Sequence, residues 1–214
     1  MCVVVRIMAS GEEKKIEGVQ SGMDVLLHPL VVISVSDQFT RKRLATPANA
    51  KVCFLGILLG MTNNGKVEIT NSFDIVGEFD PVSGRLVSVD ESFLRRRLEA
   101  FIQVFPATTV VGWYESGSVM DPNDALIIAR ALSSNADTML AMTFDGEAAY
   151  AESTTDIPIE LFEAELKGQA PNEQSVSLKK TPYHIIVRFF FFSTFLSKHA
   201  FHLCFIVVFA DYRS

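Results

Sequence analysis

The residues able to do chemistry are few and scattered. The histidines are His28, His184, His199 and His202, and the cysteines are Cys2, Cys53 and Cys204. His28 stands alone before Pro29 and reads as a hydrogen-bonded structural imidazole rather than a ligand. His199 and His202, three apart, can share a helical face, but they lie in an anomalous C-terminal segment. The cysteines form no CxxC pair and read as reduced thiols, because a structural zinc needs four clustered ligands. Cys53 sits in an apolar run, expected to be a strand, where a thiol is normally inert packing. No G-x-S-x-G elbow occurs, and Gly56 to Gly65 lacks the Lys-Ser/Thr ending of a phosphate loop. The carboxylate pairs Glu12-Glu13 and Asp121/Asp124 are accounted for by solvated faces and helix capping. Residue chemistry alone therefore points to no catalytic, cofactor or metal site.

The elements that would position these residues are clearer. Asp24–Leu27 reads as a short strand, and Pro29 opens a helix at a position where its missing N–H costs nothing. That helix runs through the apolar residues of Leu30 to Phe39 and closes on Arg41-Lys42-Arg43. Val52 to Gly60 is a continuous apolar run, the signature of a strand buried on both faces. Asn63-Asn64-Gly65 suits a type I′ hairpin turn, and Val67 to Phe73 returns as an alternating strand. Glu78 to Ser83 reads as a loop. Asp90 is placed to cap a helix with Leu94, Leu98, Phe101, Ile102 and Phe105 at helical spacing, while Arg95-Arg96-Arg97 faces largely away. Thr108 to Tyr114 is a β-branched and aromatic strand. Asp121-Pro122 starts a further helix with Ala125 to Leu132 apolar nearly all round. Thr138 to Phe144 and Glu147 to Ala151 are expected to form a hairpin about Asp145-Gly146. Ser175 to Val187 is the expected last strand. The order describes an α/β domain with a mixed sheet packed by helices on its faces.

Composition excludes some functions. The chain has 214 residues, 49% hydrophobic and 21% charged, with a net charge of −6. This suits one folded domain, and without a basic stripe nucleic-acid binding has no electrostatic support. The apolar start at Cys2-Val3-Val4-Val5 is too short for a signal-peptide core and is interrupted by Arg6. Ser10 to Gly22 is polar and reads as an arm. Eight of the 17 phenylalanines fall between Phe189 and Phe209. Lys198, His199 and His202 interrupt that stretch, at a cost of about 2.5–3.5 kcal/mol for a central lysine in a bilayer, so a membrane span is disfavoured.

Four stretches taken together resemble the MPN domain, the fold of JAMM metalloproteases and their inactive relatives. They are Val25 to Val31, Gly56-Ile57-Leu58-Leu59-Gly60, Val67 to Phe73, and Val111-Gly112-Trp113-Tyr114. The resemblance covers about residues 23–187 and implies a cytidine-deaminase-like layering of sheet and helices. Active members carry a Glu on the strand before the glycine-containing run and a His-Ser/Thr-His-Pro motif after Gly-Trp-Tyr. A Ser and an Asp follow on a helix. The two His and the Asp hold zinc, and the Glu works on the zinc-bound water. In this sequence Cys53 stands where the Glu is expected, Glu115 and Gly117 replace the two His, and Ser118 replaces the Pro. Asp124 is the one possible remnant, and it follows the motif too soon. The resemblance thus implies the inactive class, with Cys53, Glu115, Gly117 and Asp124 as degenerate zinc-site positions and no metal or other cofactor.

Gly112 to Gly117, followed by Asp121 to Asp124, is most similar to the signalosome branch of the family, as is Thr155 to Glu163, read as an insertion. The initiation-factor-three and proteasome-lid branches are alternatives, as is an isopeptidase with displaced ligands at Glu115 and Asp124. The resemblance implies a scaffold in cytoplasm and nucleus. It would pair with a catalytic JAMM subunit and serve cullin-RING ligases indirectly in deneddylation, without hydrolysis of its own. The expected organisation is an arm over 1–22, the MPN domain over 23–187, and an atypical Phe-rich tail over 188–214. The family pattern stops after Tyr183-His184-Ile185, and the tail replaces the long helices that follow in relatives. A truncated or misjoined reading frame, a tail anchor or a lineage-specific buried element would account for it.

Overall fold

A computed structural model describes residues 2–8, 23–47, 50–132, 139–150, 157–168 and 174–190. The hairpin at its centre follows from local sequence. Asn64 and Gly65 both take positive φ, 47° and 78°, the requirement of a type I′ turn. They join β3 (Leu55–Asn63) to β4 (Lys66–Ile75). Within β3, Leu58 packs toward one face of the sheet while Ile57 and Leu59 pack toward the other. This is why the run is continuously apolar, and each such side chain contributes about 1.5–3 kcal/mol of burial.

β1 is Cys2–Met8 and β2 is Asp24–Leu27. α1 (Pro29–Ala45) has Pro29 at its start and Lys42 and Arg43 in its last turn. β5 (Gly77–Phe79) and β6 (Leu86–Val89) form a separate two-stranded ribbon. α2 (Glu91–Val104) is capped by Asp90, whose side chain accepts from the Phe93 N–H at 2.9 Å. β7 (Thr109–Ser116) follows. α3 (Pro122–Leu132) starts at Asp121-Pro122, where Asp121 Oδ1 accepts from the Asn123 N–H at 2.8 Å. β8 (Met139–Phe144), α4 (Gly146–Tyr150), β9 (Ile159–Lys167), β10 (Ser175–Lys180) and β11 (Tyr183–Phe190) complete the described residues.

Among these residues nine strands make one mixed sheet in the order β1-β11-β2-β4-β3-β7-β8-β9-β10. On one face Val31, Val35 and Phe39 of α1 pack against Phe54, Leu58, Tyr114 and Phe144. On the other, Leu94 and Leu98 of α2 and Ile128 and Leu132 of α3 pack against Ile57, Trp113 and Ala141. The architecture is the expected mixed sheet packed by helices. β10 and β11 lie near opposite ends of the order yet are joined only through Thr181-Pro182, a link that spans about 11 Å at most. The sheet is therefore curled, and Tyr183 of β11 donates to the Ile159 carbonyl of β9 at 3.2 Å across the closure. No described helix is long and apolar enough to cross a membrane.

Several expectations are corrected. Glu147 to Ala151 is not a returning strand: Gly146–Tyr150 is a short helix, with Asp145 Oδ1 accepting from the Ala148 N–H at 3.0 Å. The Asp-Gly signal serves a helix start here. The antiparallel partner of β8 is instead β9, from the stretch read as an insertion. The Glu78 to Ser83 loop includes the end of β5, and Asp80 organises the turn by accepting from the Val82 and Ser83 N–H groups. The expected single last strand is two, divided at Pro182, which has no N–H for a ladder. Residues 2–8 of the expected arm pair with β11, and β11 runs across the expected boundary at 187/188. The Ser10–Gly22 arm and the tail beyond Phe190 lie outside the described residues.

Candidate functional site

The end of β7, the start of α3 and the β5–β6 ribbon enclose a cleft of about 310 Å³, lined among others by Lys51, Arg85, Glu115, Asp121 and Asp124. β7 delivers Glu115 into it, two residues after the Trp113 that anchors the strand in the core. Ser116 fixes the strand end reciprocally: its Oγ accepts from the Phe54 N–H at 3.1 Å and its N–H donates to the Phe54 carbonyl at 3.0 Å. Gly117 then turns the chain at φ 128°, a conformation that disfavours any side chain. Its N–H donates to the Phe144 carbonyl at 3.0 Å. Asp124, in the first turn of α3, uses Oδ2 to accept from the Leu86 N–H of β6 at 3.2 Å. Arg85 pairs with Asp121 at 3.0 Å at the rim.

Electrostatics push the interior groups toward their neutral forms. Burial raises the Glu115 carboxyl to about 8, and the Asp124 charge adds to this against a hydrogen bond from the Asp121 N–H. Asp124 is raised, first by burial. Cys53, half-buried with its Sγ 3.6 Å from the Gly84 carbonyl, has its thiol raised by burial, with Lys51 opposing. Asp121 is lowered, chiefly by the Asn123 N–H.

The structure therefore brings Cys53, Glu115 and Asp124 to one region, with Gly117 at its turn. One placement is corrected: Cys53 lies two residues before β3, not inside it, because the strand pairing begins at Leu55. His28 is elsewhere, its Nε2 2.6 Å from Glu68 Oε1 in a structural pair between the end of β2 and β4. His184 lies on β11. Cys2 lies on β1, and His199, His202 and Cys204 fall outside the described residues. Sequence reasoning missed Lys51 and Arg85, which only strand register carries to the cleft.

This donor set does not fit zinc. A zinc centre takes deprotonated ligands, usually with imidazoles. Here the donors are carboxyls and a nearby thiol, one Asp124 oxygen is engaged by the Leu86 N–H, and the cations Lys51 and Arg85 share the same lining. Among the described residues no imidazole lines the cleft. Among the described residues no three His, Cys, Asp or Glu side chains converge as a metal-binding group.

A curled mixed sheet with this cleft between strand end and helix start defines an MPN-type domain. The chain belongs to the JAB1/Mov34/MPN/PAD-1 ubiquitin protease family, whose model matches residues 20–131. It is 33% identical over 165 residues to COP9 signalosome complex subunit 6 of Dictyostelium discoideum, covering 77% of this chain and 50% of that protein. It is 32% identical to COP9 signalosome complex subunit 6 of Oryza sativa subsp. japonica, over 68% of this chain and 45% of that one. A 100-residue stretch is 32% identical to 26S proteasome regulatory subunit rpn8 of Schizosaccharomyces pombe, over 47% of this chain and 30% of the relative. The chain spans about half the length of the signalosome relatives it matches.

Proposed function

We propose that this chain is a non-catalytic MPN subunit of a COP9 signalosome. It binds the catalytic MPN subunit in cytoplasm and nucleus, so that its contribution to cullin deneddylation is structural. The observation that supports a non-catalytic role is the cleft itself, where Glu115 and Gly117 stand at positions that the family resemblance gives to ligands, and Asp124 accepts from the Leu86 N–H. Residues that do not suit a Lewis acid would leave the site without its means of activating a water against an isopeptide bond. The choice of complex is supported by the likeness to signalosome subunits over 77% of the chain.

Affinity purification of the tagged full chain is expected to recover signalosome subunits, the catalytic MPN subunit among them. Recovery of proteasome-lid or initiation-factor subunits in their place would overturn the choice of complex. The proteasome reading has its own support in the rpn8 match. Metal analysis of the same purified chain, separated from partners, is expected to find no stoichiometric zinc. One zinc per chain together with isopeptide hydrolysis would sink the non-catalytic reading.

A further inference from the structure

A second cavity, of about 170 Å³, lies away from the Glu115 cleft, where α1 and α2 meet the C-terminal half of β4. Its walls include Gln38, Arg41, Ser72, Asp74, Arg97 and Tyr114. Nothing in the function proposed above uses it.

Its hydrogen-bond inventory contains one buried orphan. Ser72 is only 7% exposed, and its Oγ has no partner among the described residues. A buried hydroxyl left in this state is costly and is rare in native proteins. Each acceptor side chain around it makes one contact, and the two aspartates each keep a second oxygen. Gln38 Oε1 takes the Tyr114 hydroxyl at 2.5 Å. Asp37 Oδ2 takes Arg41 Nε at 2.9 Å, and Asp74 Oδ1 takes Arg97 Nη2 at 3.2 Å. The donors are not exhausted. Each guanidinium carries five N–H groups, and these contacts use one on each arginine.

The arginines are also pre-positioned. Arg97 sits 5.9 Å over the Phe73 ring, and Phe73 stacks on Phe101 with centroids 5.1 Å apart. Arg41 is held by its partner one helical turn back. Surplus donors on two planar guanidinium groups, with a buried hydroxyl in the same wall, suit the acceptors of an oxyanion. The volume is below the roughly 300–1,000 Å³ of drug-sized sites, and suits a carboxylate or phosphate group rather than a larger molecule.

We propose that this cavity is an oxyanion-binding site in which Arg41, Arg97 and Ser72 hold a carboxylate or phosphate group. The group is supplied either by an acidic side chain of a partner protein or by free phosphate. Asp37 and Asp74 balance the two arginines, so recognition rests on hydrogen-bond geometry more than on net charge.

The test is a titration of the isotopically labelled full chain, followed in amide correlation spectra. One arm adds inorganic phosphate and the other the peptide acetyl-Glu-Glu-amide, at constant ionic strength. Saturable shifts are expected at Arg41, Ser72, Asp74 and Arg97, with the Gly117 and Asp124 amides unmoved. Arg97→Gln and Ser72→Ala are each expected to weaken binding, about tenfold for the arginine change, as befits a lost charge-assisted hydrogen bond. Ser72→Ala is nearly isosteric and guards against misfolding as the explanation. Tighter binding of the peptide assigns the group to a partner's side chain; tighter binding of phosphate assigns it to the free ion. Absence of saturable shifts with both probes, or unchanged affinity in both variants, overturns the site.

Discussion

Tyr114 and Gln38 form a buried hydrogen bond of 2.5 Å that joins β7 to α1 across the face of the sheet. Gln38 then donates through Nε2 to the Leu55 carbonyl at 3.3 Å, at the start of β3. Burial raises the Tyr114 phenol well above its usual value, so it remains a donor across the physiological range. Tyr114→Phe leaves the Gln38 oxygen buried without its donor and is expected to cost about 1–3 kcal/mol. Urea denaturation checks this, and an unchanged midpoint would refute the role given to the pair.

Glu115 makes stability fall with pH. The folded chain holds its proton up to about 8, whereas the reference value for the group is 4.5. Between those values the unfolded chain is ionised at this group and the folded chain is not, so ionisation favours unfolding. Below 4.5 the group contributes no pH dependence, and above about 8 the penalty is constant. Within the window the slope approaches about −1.4 kcal/mol per pH unit. Asp124, raised for the same first reason, acts in the same direction. Glu115→Gln is expected to flatten the profile, measured as the unfolding midpoint against pH.

Asp90 caps α2 through its contact with the Phe93 N–H. Asp90→Ala is expected to lower the urea midpoint, by less than Tyr114→Phe does, and Asp90→Ser is expected to restore most of the loss because a hydroxyl can accept the same N–H. Equal effects of Ala and Ser would show that the cap is not the cause.

At Gly112 a Cβ would overlap the Leu140 backbone of the neighbouring strand β8. Backbone cannot move aside as a flexible side chain can. Gly112→Ala is therefore expected to cost at least the ~1–3 kcal/mol of an overpacked core. A variant as stable as the parent in calorimetry would show that β7 and β8 can separate.

Much of this was readable in advance because it is local. Asn63-Asn64-Gly65, Asp90 and Asp121-Pro122 act on the backbone within a few residues, and the run from Leu55 to Gly60 records burial on both faces. The β8–α4–β9 region differs from the expected hairpin because Asp145-Gly146 fits a hairpin turn and a helix start equally well by type. Only the pairing of Phe144 with Ile159 decides between them. At the cleft, Cys53, Glu115 and Gly117 can be picked out from local sequence by the family resemblance. Lys51 and Arg85 were not, since they stand in loops 64 and 30 residues before Glu115 and meet it only through the sheet and ribbon. The electrostatic character of the cleft is thus a tertiary property.

The two-residue link between β10 and β11 bears on how the chain is made. β2 finds one of its two neighbours, β4, within the same stretch of nascent chain, but its other neighbour is β11, where Val25 pairs with Tyr183. A ribosome must therefore synthesise more than 150 further residues before that edge of β2 is covered. Such distant pairing slows folding and leaves a strand edge open meanwhile. During translation, the interval before β11 emerges is the period in which this chain most needs a chaperone or an early partner to shield it.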